Sequence, residues 1–262
     1  MQCTRPLLAG GFLKRSYNEA KRLGHIAVTF EAATVPMRPR PLVYFDTPQA
    51  LTDCKTMCDS EIGGYSNVDF KFIPGSASEP AHARFRGHIS TELPKENLSV
   101  INSGYAGWRT TDPKWNMFNS GIYDIDPYRY IALRVKSDGG HYFVNIQTES
   151  IVPTDLHQHR LYARRPGQWE TILIRTGEFV RTNHGAIMEP QSEMMKDRVR
   201  SIGISSIKVP GPFELCISRV WATNIADRNA TGDEEMDAMR RRQKQQRQPP
   251  QDPSSKPIRL RT

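Results

Sequence analysis

Asp155, His157 and His159 stand at i, i+2 and i+4, and in an extended chain that spacing sends all three side chains to one side of the backbone. A carboxylate and two imidazoles so placed form a candidate metal triad. Against that reading stand the polar Gln158 between the histidines and the lack of a legible supporting shell, so an exposed edge strand or loop is expected here. Cys54 and Cys58 lie four apart and would share a helical face, but no second Cys or His pair stands at zinc-like spacing. Two small, half-buried side chains are the expectation for them. Asp124 and Asp126 pair in the same manner, yet Pro127 directly after them reads as a turn. Asn97-Leu98-Ser99 and Asn229-Ala230-Thr231 match the glycosylation pattern, which bears only on a secreted chain, and both are read as chance.

Motifs that would carry nucleophilic or phosphate chemistry are missing. Gly64-Tyr65-Ser66 and Gly203-Ile204-Ser205 both lack the closing glycine of a nucleophile elbow. There is no P-loop and no G-x-G-x-x-G, since Gly104 to Gly107 supplies only G-x-x-G inside an apparent strand. No catalytic residue, cofactor or resident metal is therefore expected, and binding is the function class that remains.

Charge narrows the partners. The 262 residues carry a formal charge of +8, but residues 1–40 hold seven Lys/Arg against two acids and residues 231–262 hold eight against five, while residues 41–230 hold 21 of each. A neutral centre argues against a nucleic-acid-binding body, because duplex affinity rests on a concentrated basic face. No window approaches the roughly 18 consecutive apolar residues that span a bilayer. Four cysteines are too few for a disulfide framework and suit a reducing compartment.

The basic surplus sits in the ends. From Met1 to Phe30 the only acid is Glu19, while Arg5, Lys14, Arg15, Lys21 and Arg22 punctuate Leu7, Leu8, Phe12, Leu13 and Leu23. That profile resembles a mitochondrial transit peptide rather than a secretory signal, with an ordinary basic tail as the alternative. Residues 34–41 then hold three prolines and suit a linker. Near the other end Asp233, Glu234, Glu235 and Asp237 precede Arg240, Arg241, Arg242, Lys244 and Arg247, an order that complements a helix dipole and predicts a short polar helix over 232–247. The division expected is a leader and linker over 1–40, a folded domain over 41–226, and a polar helix with a basic tail over 227–262.

The elements that must position any surface are strands. Between Leu42 and Asn224 the dominant period is two. Ile131, Leu133 and Val135 alternate with polar residues, Ser137-Asp138-Gly139-Gly140 reads as a turn, and Tyr142, Val144 and Ile146 alternate again, which predicts a hairpin. Further strands are predicted over 68–73, 83–89, 160–163, 170–174, 199–205 and 213–221, with a helical turn only near 48–57. Many short strands parted by Gly, Pro, Asn and Asp predict an all-β, antiparallel β-sandwich, with a closed barrel as the alternative. If the apolar side of the hairpin faces the core, Arg134, Asn145 and Gln147 share the opposite face, joined by Arg160, Tyr162 and Arg164 from a neighbouring strand. Hydrogen-bonding groups beside an aromatic suit a protein surface or a sugar, so these six are the candidate partner-binding residues, against a plain solvated face.

Several stretches in order carry a resemblance: Asp59-x-x-x-Gly63-Gly64-x-Ser66; Ala83-x-Phe85-x-Gly87-x-Ile89; Ser103-Gly104-Tyr105-Ala106-Gly107; Leu133-Arg134-Val135-x-x-Asp138-Gly139; Tyr142-x-Val144-Asn145; Trp169-x-Thr171-Ile172-x-Ile174; Ile202-Gly203; and Gly211-Pro212-Phe213-Glu214-Leu215-x-Ile217. Together, over roughly residues 45–224, the chain resembles the complex I intermediate-associated family. Two places depart from the family pattern: Cys54 replaces an aromatic, and Arg175-Thr176-Gly177-Glu178 precedes Phe179 in place of a Pro-Phe-led segment. The resemblance implies a galactose-binding-like jelly roll, a mitochondrial matrix location peripheral to the inner membrane, and a chaperone role toward the membrane arm of complex I. The partners it implies are complex I subunits and other assembly factors. A carbohydrate-binding module is the alternative function.

Overall fold

The computed structural model describes residues 9–29, 38–95, 97, 100, 102–112 and 121–226. The polar helix expected over 232–247 lies outside them, as do Cys3, the end of the Asn97 sequon and the whole of the Asn229 one. Helix α1 (Ala9–Thr29) takes up most of the basic N-terminal stretch. No described helix is long and apolar enough to cross a membrane.

The strands follow as β1 (Arg40–Tyr44), β2 (Cys54–Cys58), β3 (Asn67–Ile73), β4 (His82–Ile89), β5 (Tyr105–Thr110), β6 (Tyr130–Ser137), β7 (Tyr142–Thr148), β8 (Asp155–Leu161), β9 (Trp169–Arg175), β10 (Val180–Asn183), β11 (Ala186–Ile187), β12 (Val199–Ile207) and β13 (Gly211–Thr223). A one-turn helix, α2 (Gln49–Thr52), precedes β2. The helical turn expected over 48–57 is thus only half realised, because Cys54-Lys55-Thr56-Met57-Cys58 pairs as a strand with β5. Asp124 and Asp126 form the expected turn, in which Asp126 N–H donates to the Asp124 carboxylate at 3.1 Å.

Two antiparallel sheets form the jelly roll. One is six-stranded, in the order β3-β4-β13-β6-β9 with β1 also beside β13; the other is seven-stranded, β11-β10-β8-β7-β12-β5-β2. Period-two alternation puts one face of each strand inside. Ile131, Leu133 and Val135 of β6 are buried against Val144 and Ile146 of β7, and Ile202 and Ile204 of β12 join them. An aromatic cluster ties the layers together. Trp108 of β5 stacks on Phe70 of β3 at 5.2 Å and meets Phe45 edge-on at 5.4 Å, and Phe70 meets Phe85 of β4 at 6.2 Å. Such pairs contribute about 1 kcal/mol each beyond the area they bury.

The hairpin expected over 131–147 is not one. β6 pairs with β13 and β9, β7 pairs with β12 and β8, and the turn at 138–141 carries the chain from one sheet to the other. Alternation reports which side of a strand is apolar but not which strand lies beside it. Gly139 does take the positive φ that the turn requires, at 89°. Trp169 of the resemblance-bearing stretch is half-buried on the outward side of β9, with Lys136 Nζ 5.7 Å from its ring centre and His82 edge-on at 5.2 Å. Phe213, by contrast, is buried in the core.

Candidate interaction surface

Two places concentrate polar side chains with defined geometry. The first is a sealed knot around Asp59. This fully buried residue follows β2, and its carboxylate accepts from Gly104 N–H (2.6 Å), Ser103 Oγ (2.8 Å), Ser66 N–H (3.0 Å) and Ser66 Oγ (2.8 Å). Ser66 Oγ in turn accepts from Ser90 N–H at 3.0 Å. A Cβ on Gly64 would lie 2.5 Å from the Asp59 carboxyl carbon, so only glycine lets the turn close over the acid, and Gly63 takes φ 91°. Burial opposes the charge, but the bonds from Gly104, Ser103 and Ser66 outweigh it and hold the carboxyl below its usual range. The motif stretches beginning at Asp59 and Ser103, 44 positions apart, therefore meet at one atom group.

The second place is the outward face of the seven-stranded sheet, where side chains form an ordered relay. Thr182 Oγ1 of β10 donates to Gln158 Oε1 of β8 (2.9 Å), Gln158 Nε2 donates to Asn145 Oδ1 of β7 (2.8 Å), and Asn145 Nδ2 donates to Ser205 Oγ of β12 (2.9 Å). One strand position along, Gln147 Oε1 accepts from both Arg109 Nη1 of β5 (2.9 Å) and Ser201 Oγ (3.0 Å), while its amide donates to Pro153 O (2.7 Å). Every amide is thereby fixed in direction, so the face is organised before anything meets it. Between Arg109 and Asn145 the floor is bare at Gly203, where a Cβ would lie 2.1 Å from the Trp108 carbonyl oxygen. Arg160 lies over Tyr162, 5.2 Å from the ring centre, and Tyr162 is well exposed.

The six residues expected to share one surface are split by the crossover. Asn145, Gln147 and Arg160, with Tyr162 just past β8, belong to this face. Arg134 points out of the other sheet, where its Nη1 lies 3.4 Å from Thr171 Oγ1. Arg164 lies in the link between β8 and β9, and its N–H donates to Glu170 Oε1 at 2.9 Å. Arg109, Gln158 and Lys55, absent from the expected six, complete the surface. Arg109 had a signal in alternation, since it flanks the buried Trp108, whereas the outward position of Gln158 follows only once β10 covers β8 and turns the histidines on either side inward.

The Asp155, His157, His159 spacing does send three side chains one way, but inward, not into an exposed edge or loop. β8 lies between β7 and β10, and Asp155 and His157 are both buried. Asp155 holds Arg181 (Nη2 to Oδ2, 2.6 Å) and accepts from Asn183 Nδ2 at 2.7 Å, and these bonds keep its carboxyl below the usual range. Burial, with the Arg181 charge beside it, pushes the His157 pKa down. A guanidinium occupies the carboxylate that a metal would need, and no group of three or more candidate ligands occurs among the described residues.

Known proteins agree with this architecture. The family model described as complex I intermediate-associated protein 30 matches residues 43–217. A Neurospora crassa protein named complex I intermediate-associated protein 30, mitochondrial, is 44% identical over 246 residues, covering 87% of this chain and 88% of its own. A Mus musculus protein of the same name is 30% identical over 161 residues, 60% of this chain and 48% of its own. Among solved structures, the family 11 carbohydrate-binding module of a Clostridium thermocellum cellulase superposes with a TM-score of 0.52 at 14% identity, covering 72% of this chain and 96% of that one. At that identity the likeness is one of fold alone. The match over more than half of the chain and the identity to the Neurospora protein place the chain in the complex I intermediate-associated protein 30 family.

Proposed function

We propose that the chain is a non-enzymatic assembly factor for mitochondrial respiratory complex I, binding membrane-arm intermediates and their other assembly factors from the matrix side of the inner membrane. The observation that carries this reading is the 44% identity, over nearly the whole of both chains, to a mitochondrial protein named for complex I intermediates. The acid-poor, basic helix α1 suits mitochondrial import. A sandwich with a preorganised outward face suits a holding role, because such a face meets a partner without reorganising.

The test is deletion followed by native gel electrophoresis of mitochondrial membranes. Loss of mature complex I with accumulation of membrane-arm fragments is expected, reversed by the full chain. Normal complex I abundance in the null would contradict the proposal. Recognition of sugar by the same hydrogen-bonding face is the competing reading, and glycan-array binding together with a cell-surface location would favour it.

A further inference from the structure

The two outward faces of the sandwich treat charge differently. On the six-stranded sheet acids stand among the bases: Asp69 takes Lys71 at 3.0 Å and Arg86 at 3.1 Å, Glu79 takes Lys136 at 2.5 Å, and Asp46 approaches Arg219 at 3.7 Å, while Arg84, opposite Lys71, forms no ion pair among the described residues. On the seven-stranded sheet the regular outward positions of β2, β5, β12, β7, β8 and β10 include Lys55, Arg109 and Arg160 and no acid. None of these three pairs with a carboxylate among the described residues. At the end of the face the pattern reverts, with Arg198 paired to Glu149 at 3.0 Å and Arg200 paired to Asp112.

Lys55 and Arg109 are directly opposed on neighbouring strands, an arrangement that destabilises a sheet unless something negative lies between them. The guanidinium of Arg109 is steadied by Gln147 and that of Arg160 by Tyr162, and each retains N–H groups able to donate to a carboxylate. We infer that this face is a docking surface for an acidic, extended polypeptide segment of a partner protein, with carboxylates received by Arg109 and Arg160. This inference rests on the reading of the chain as a factor that acts by holding other proteins.

The chemistry favours a peptide over the other anions. A neutral sugar would not call for the three bases, and an anionic membrane is met by protruding cations, whereas Arg109 and Arg160 are half-buried beside fixed amides suited to a peptide backbone. Geometry sets a spacing. Arg109 and Arg160 stand three strands apart and two residues out of row. That is about 16 Å for strands about 4.8 Å apart, which an extended chain covers in about five residues. Acids four or six positions apart, which share one face of an extended chain, would thus reach both.

Fluorescence anisotropy on the full chain tests this, with a labelled peptide alternating Glu and Thr, a Lys and Thr counterpart, and vesicles of anionic phospholipid as probes. The acidic peptide should bind. Its affinity should fall about tenfold or more in Arg109→Glu/Arg160→Glu, fall less in Arg109→Gln/Arg160→Gln, and hold in Lys71→Glu/Arg86→Glu, with melting temperatures recorded for each. Equal losses on the two faces, no binding of the acidic peptide, or a loss confined to vesicle binding would overturn the inference. A chain that ignores acidic peptides yet restores complex I to null mitochondria would end the acidic docking alone and leave the assembly role standing.

Discussion

The knot around Asp59 and the outward face of the seven-stranded sheet are both made of serines, glycines and charge, but one is sealed and the other open. At the knot four donors from Gly104, Ser103 and Ser66 converge on one carboxylate, so these resemblance-bearing residues are consumed in closing the fold. On the open face the polar groups bond to one another sideways and their charges are left unmatched. The motif residues around Asp59 therefore mark a place where the chain is held together, whereas the proposed partner surface is the open face. Function on a shared fold resides in such a surface rather than in the fold.

Removing the acid gives the largest expected effect. Asp59→Ala leaves Gly104 N–H, Ser66 N–H and Ser103 Oγ without their acceptor and should cost about 3 kcal/mol, lowering the melting temperature by about 10 °C in calorimetry. Partner binding should then fall only as far as folded protein is lost. The mirror experiment is Arg109→Glu with Arg160→Glu, for which retention of complex I intermediates in pull-downs should drop about tenfold while melting shifts by no more than about 2 °C. If the two variants behaved alike, the distinction between knot and surface would collapse.

Acid sharpens the same contrast. Asp59 and Asp155 have carboxyls held low in the fold, so their contribution is present above the ordinary carboxylate range and is lost as pH falls below about 4. His157, with its pKa pushed down, stays neutral when folded and takes up a proton more readily when unfolded, so stability should already decline from about pH 6.5 downward. Urea midpoints at three pH values would show both steps, and Asp59→Asn should flatten the lower one. The smallest effect expected is from Arg134→Glu with Arg164→Glu, which lie off the face and should change partner retention by less than about twofold in the same pull-down.

Layering was legible from the sequence because burial writes itself as alternation: the inward Ile131, Leu133, Val135, Val144 and Ile146 all follow from period two. Neighbour relations were not, since β6 and β7 satisfy alternation equally well as a hairpin or as opposite walls of a sandwich. That one ambiguity placed Arg134 beside Asn145, when they face away from each other across the core. The short strands β1, β10 and β11 gave too few positions for a period to register. Asp59, Gly64, Ser66 and Ser103 were visible as a pattern, but their common purpose needs contacts between residues 44 apart. The inward turn of His157 and His159 likewise depends on β10 covering the edge of β8, which no local signal announces.

Site-specific photo-crosslinking in mitochondria tests the central claim most directly. A benzophenone residue at Gln158 probes the open face and one at Lys71 probes the opposite sheet. Adducts to complex I subunits or their assembly factors from position 158 and not from position 71 are predicted. Adducts from position 71 alone would put the partner on the other face and contradict the account.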